Sequence, residues 1–240
     1  MPVAAADQAL YAVVTAPAPA TVTEVIETMQ QIDACMANND GLKWFNLLYL
    51  TVTRQVDLQP ADSWKDPAWL LDLDVVFAGL YLRALAAFLN GDPGVASSWS
   101  ALFEARYRAG VDRIQFALAG MNAHINHDLA LALLAADAQM GVVPSLASPQ
   151  HVDYQAVNLL LESLMPSTLQ MLAADTLGVL AEDTGKVGRL LAFWDICRAR
   201  DLAWDFAGNL RGLSGAVRQA ALDAQDQVTG VLGRAILSIP

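Results

Sequence analysis

The stretch IQFALAGMNAHINHDLALALL, residues Ile114–Leu134, decides the reading of this chain. Its flanks, Ile114–Gly120 and Leu129–Leu134, are apolar but for Gln115. A helix that is apolar all round belongs in a core, so the run reads as a central buried helix. Inside it, Asn122, His124, Asn126, His127 and Asp128 place five hydrogen-bonding side chains within seven positions. Burying such groups is costly unless each is satisfied. Two of the three histidines of the 240 residues lie here.

On a helix, side chains three and four apart share a face. That rule joins His124, His127 and Asp128, and it sets Asn122 with Asn126 on a neighbouring face. The third histidine, His151, falls in the first turn of a helix opened by Pro149. The positive end of a helix dipole favours neutral imidazole, the form required of a base or a metal ligand. His151 is therefore expected opposite the central run, with Tyr154 and Asn158 on its own face. Asn46, Tyr49 and Thr53 repeat the same spacing in an apolar helix. Trp194, Arg198, Asp201 and Asp205 share another face, with Arg198 and Asp201 reading as an ion pair. Asp72 and Asp74 suit the start of a long helix, where the dipole favours acids, and Asp74 lies deep enough to be functional. Trp64, Trp69 and Trp99 flank turns and read as core cover.

Three readings of the cluster compete. In the leading one, the chain is a small-molecule enzyme in bacterial specialised metabolism. There His124, His127, Asp128 and His151 perform acid–base chemistry, as in cyclisation, elimination or hydrolysis. Asn122, Asn126, Asn46, Tyr49, Tyr154 and Asn158 would then orient the substrate. In the second, His124, His127, Asp128 and His151 hold a divalent metal, Zn, Fe or Mn, in a hydrolase or oxygenase. In the third, the cluster is a satisfied hydrogen-bond network in a non-catalytic binding or scaffold protein. No other cofactor is expected: there is no Gly-rich phosphate loop and no nucleophile elbow.

Outward from the run, punctuation predicts an all-α, single-domain bundle of about nine helices. Thr21-Val22-Thr23-Glu24 has capping-box spacing and opens the first, which ends at the turn Asn38–Gly41. The next covers Leu42–Leu58. Asp66-Pro67 supplies a cap and a first-turn proline for Ala68–Asn90, which Gly91 ends. Ser97–Ala109 and the long Val111–Met140 follow. Ser148-Pro149 opens a helix to Met165, and Pro166 opens another to Asp183. Lys186–Asn209 and Arg211–Leu237 complete the set. Residues 1–20, with Pro17 and Pro19, are expected as a flexible arm, and 21–240 as one helical domain.

Composition agrees with this class. The chain is 55% hydrophobic and 16% charged, against roughly 45–50% and 25% in ordinary domains. Such an excess suits a thick helical core, and also a homo-oligomer or a helical protein partner. The net charge of −11 argues against nucleic acid and anionic membrane as partners. Charges and prolines interrupt every apolar run, so no transmembrane span is expected. Two cysteines make no disulfide framework, and a cytoplasmic location is the expectation.

The block Gly120–Leu129 resembles an uncharacterised, mostly actinobacterial, all-helical family. Phe45–Arg54 and Trp99–Glu104 resemble its looser blocks, and the likeness extends from about residue 23 to 205. The resemblance implies an all-helical protein of unassigned activity, with some relatives in specialised-metabolite pathways. It carries over no catalytic residue.

Overall fold

A computed structural model describes residues 3–173 and 195–239, and every regular element among them is helical. In chain order these are α1 (Gln8–Val14), α2 (Val22–Cys35), α3 (Leu42–Asp57), α4 (Pro67–Leu89), α5 (Ser97–Ala105), α6 (Arg113–Ala123), a π turn (His124–Asp128), α7 (Leu129–Met140), α8 (Pro149–Ala173), α9 (Ile196–Arg211) and α10 (Gly215–Ile236).

The punctuation acts as the sequence suggests. The Thr21 side chain accepts from Glu24 N at 3.2 Å, while the Glu24 carboxylate accepts from Ala20 N at 2.7 Å. Asp66 caps α4 by accepting from Trp69 N, with Pro67 at the first position. Gly91 and Gly141 take the left-handed conformation after α4 and α7, at φ 72° and 65°, where other residues are strained.

The helix α6, the π turn and α7 form one continuous rod through the middle of the bundle, and every residue from Ile114 to Ile125 is buried. Helices α3, α5 and α10 pack on its first half, and α4 and α9 on its second. The apolar side chains of all these elements form one core cluster. Closest approach is managed by glycine. A Cβ on Gly120 would lie 2.6 Å from Phe45 Cβ, and one on Gly230 would lie 2.8 Å from the Ser97 carbonyl carbon and oxygen. Since Ser97 opposes with backbone, α10 must move off α5 in Gly230→Ala. The expected loss is about 1–3 kcal/mol, the range for overpacking, and a thermal melt of this variant beside Ala235→Ser checks it.

Three elements differ from expectation. The long helix Val111–Met140 is not regular: five residues in its middle take π geometry. Helix α8 runs on through Pro166 to Ala173, so no new helix starts there. A proline removes one main-chain bond and need not end a helix held by packing. The remainder of Pro166–Asp183 and the first part of Lys186–Asn209 lie outside the described residues, as does Trp194. The segment 1–20, expected as a flexible arm, contains α1, with Leu10 and Val14 buried and Asp7 paired to Arg106 at 3.1 Å.

Candidate functional site

The π turn brings His124, His127 and Asp128 together more tightly than a plain i, i+4 face. Asp128 is buried and accepts three hydrogen bonds. Its Oδ2 takes Trp99 Nε1 at 2.9 Å and His124 Nδ1 at 3.2 Å; its Oδ1 takes His127 Nδ1 at 2.8 Å. Single π turns inside α-helices recur at functional sites. Here the wider turn lets one carboxylate receive two imidazoles of the same rod. His127, only partly buried, reaches Asp226 of α10 with Nε2 at 3.8 Å. Asp226 in turn caps α5, accepting from Ser97 N and Ser98 N at 2.7 and 2.9 Å.

The two imidazoles are shifted in opposite directions. Burial holds His124 below its ordinary pKa and outweighs the pull of Asp128, so its ring is neutral. Burial also lowers His127, but the bond to Asp128 and the charges of Asp128 and Asp226 outweigh it and raise the net value. Burial pushes Asp128 up; the bonds from His124 and His127 more than reverse this, and it stays ionised.

A neutral His124 that gives its Nδ1 proton to Asp128 carries a lone pair on Nε2. That atom is sealed from solvent and has no partner among the described residues. The ring stacks on Phe77, centroids 3.5 Å apart at 6°, and meets Tyr49 edge-on at 4.5 Å. It borders a small internal chamber of about 40 Å³. Val52, Val56, Met121, Ile125, Val157 and Leu161 give the chamber apolar walls, and Tyr49, Thr53, Asp74 and Arg200 add polar groups. Asp74 Oδ2 is likewise buried without a partner, and burial raises this carboxyl to about 7 despite the opposing pull of Arg200. Burial, then Asp74 and Asp128, raise Tyr49 well above an ordinary phenol.

Other expected site residues are used elsewhere. Asn122 donates to Thr229 O at 2.9 Å and accepts from Asn126 at 3.0 Å, while Gln225 donates to Asn126 O at 2.8 Å. This face pins α10 to the rod. Asn46 donates to Met29 O and ties α3 to α2. The structure does not bring His151 to the central run. Its Nδ1 donates to Leu146 O at 3.0 Å, Gln155 meets its Nε2, and its ring lies 4.8 Å from Trp204. Tyr154 donates to Arg200 O, and Asn158 accepts from Arg200 Nε at 2.6 Å, so that stripe positions Arg200. Asp201 accepts from Gln155 and Asn158.

The metal-ligand set His124, His127, Asp128 and His151 is therefore not assembled. Both Nδ1 atoms and both Asp128 oxygens serve one another, and His151 is elsewhere. Among the described residues no group of three or more His, Cys, Asp or Glu side chains is arranged to hold a metal ion. Sequence reasoning missed Trp99 as a partner of Asp128 and Arg200 as a wall of the chamber.

The charge pattern gives stability a pH dependence of defined sign. His124 is depressed in the fold, so its contribution is present above the unfolded value of about 6.5 and is lost as pH falls through its folded value. His127 is raised, so its contribution is present below about 6.5 and is lost as pH rises through its folded value. The expected result is a Tm gap between wild type and His127→Gln that narrows from pH 6 to pH 9. A constant gap would contradict the assignment of charge to His127.

The fold and site define an all-α bundle with a carboxylate-oriented imidazole at a π turn of its central rod. The chain belongs to a family described as Family of unknown function (DUF5995), which matches residues 22–239. No curated protein and no solved structure is matched by the chain. No helix among the described residues is long and apolar enough to cross a membrane.

Proposed function

We propose that this protein is a cytoplasmic enzyme that transfers a proton on a small, largely apolar molecule, with His124 as the base. One observation carries the reading: a neutral imidazole, oriented through Nδ1 by a buried carboxylate, keeps Nε2 sealed and unpartnered beside a chamber. A base oriented by a third group is the arrangement that proton-transfer and hydrolytic sites use. Trp99 and His127 hold Asp128, and through it the tautomer of His124. Tyr49, kept as a neutral phenol, supplies a hydrogen bond to a polar atom of the substrate.

The probe is 5-nitrobenzisoxazole, an apolar molecule that reports any base able to take its carbon-bound proton. His124 Nε2 accepts that proton, the C–H electron pair forms the nitrile, and the N–O pair leaves on the phenolate oxygen. No other reactant is needed. Faster ring opening by wild type than by His124→Asn supports the reading; equal rates in the two folded proteins overturn it.

A further inference from the structure

The chamber beside His124 has room only for the reacting end of a substrate, so the rest of the molecule must lie outside it. At about 40 Å³ it has room for a few waters, at roughly 10–15 Å³ each. Immediately beyond it lies a second pocket of about 210 Å³, between the start of α2, the end of α3 and the first turns of α4. The two spaces share two wall residues, Val56 and Asp74. Asp74 thus stands at the partition between them.

We propose that this outer pocket takes the apolar body of a small cationic amine, with Asp74 as its counter-ion at the inner end. The inference rests on the reading of the chamber as the reaction site and names the substrate class for it. Val22, Trp64, Pro67, Leu70 and Leu71 give the pocket apolar walls. Among the described residues its ionisable wall groups are Asp57 and Asp74, both acidic, and no Lys, Arg or His lines it. An anion entering would meet two carboxyls, whereas an ammonium group supplies the partner that the buried Asp74 Oδ2 lacks. Burial favours the protonated form of Asp74, and an ammonium group brought beside it restores the ionised carboxylate and pairs with it. Trp64 adds an aromatic wall to the pocket. On the chamber side of Asp74 stands Arg200, which stops the ammonium from passing deeper. The charged end of the ligand therefore halts at the partition, facing the chamber, with its apolar body in the outer pocket.

The test uses three probes of one shape: 2-phenylethylamine, 2-phenylethanol and phenylacetate, titrated calorimetrically into wild type, Asp74→Asn and Ala61→Trp. Wild type is expected to bind the amine at least tenfold more tightly than either other probe. Asp74→Asn should abolish that preference. Ala61→Trp, which fills the outer pocket from an exposed position, should weaken the amine at least tenfold while Asp74 is intact. Absence of saturable amine binding, binding of phenylacetate equal to the amine, or a preference retained in Asp74→Asn overturns the proposal. Failure here with His124-dependent turnover of 5-nitrobenzisoxazole intact removes the amine alone. Loss of that His124 dependence removes the reading on which it rests.

Discussion

Asp128→Ala is expected to cost about 3–5 kcal/mol, the range for removing one partner from a buried charged pair. The alanine leaves Trp99 Nε1–H, His124 Nδ1–H and His127 Nδ1–H without their acceptor. Two of those groups lie in the core, where an unmade hydrogen bond costs about 1–3 kcal/mol. At roughly 2–4 °C per kcal/mol for a chain of this size, the melt should fall by roughly 10 °C. Asp128→Asn separates charge from hydrogen bonding. Its amide oxygen still accepts from Trp99 and His124, and its amide nitrogen can face a neutral His127. Asparagine should therefore recover a large part of the loss, with His127 returning towards an ordinary histidine. Chemical denaturation of both variants at pH 7 gives the two values. A loss under about 1 kcal/mol for alanine would mean that the three donors find other acceptors, and the carboxylate would not be the organiser of the site.

The features that could be read in advance are those set by near neighbours. Thr21, Asp66 and Pro67 act at helix ends through bonds spanning three or four residues, so the sequence carries them directly. The burial of Ile114–Ile125 follows from a helix without a polar face. What escaped reading depends on register and on distant partners. Whether His124–Asp128 closes an α or a π turn is set by the packing around it, not by the five residues alone. Trp99 reaches Asp128 from 29 positions away, and no spacing rule encodes that. Along a helix two residues turn the side chain by about 200°, which puts Arg198 and Arg200 on nearly opposite faces, and Arg200 lines the chamber. His151 met the local criteria for a site histidine, yet its helix docks it on Trp204. Asp74 fits a solvated acid of an early helix turn as well as a buried one; the neighbouring α3 and α8 decide which.

His124→Asn is expected to slow ring opening of 5-nitrobenzisoxazole by about 10²–10⁴-fold, the usual contribution of a positioned general base. The choice of asparagine isolates the base. Its amide nitrogen occupies nearly the place of imidazole Nδ1, so donation to Asp128 survives, while nothing replaces Nε2. The stability change then comes from lost ring contacts, closest with Phe77 and Tyr49 and wider with Phe45, Trp99 and Tyr81. The rate–pH profile of wild type adds a readout that packing alone would not move. Burial keeps His124 deprotonated below its ordinary value, so the acid limb of the activity should lie below that of an ordinary histidine. In His127→Gln the imidazolium beside Asp128 is gone. Asp128 then acts on His124 with its full negative charge, the imidazolium form of His124 becomes easier to make, and the acid limb should move to higher pH. An acid limb unchanged in His127→Gln would leave His124 as base but uncouple it from the second imidazole. A limb that moves shows that the π turn joins the two rings through one carboxylate, with the partly exposed ring setting the basicity of the buried one.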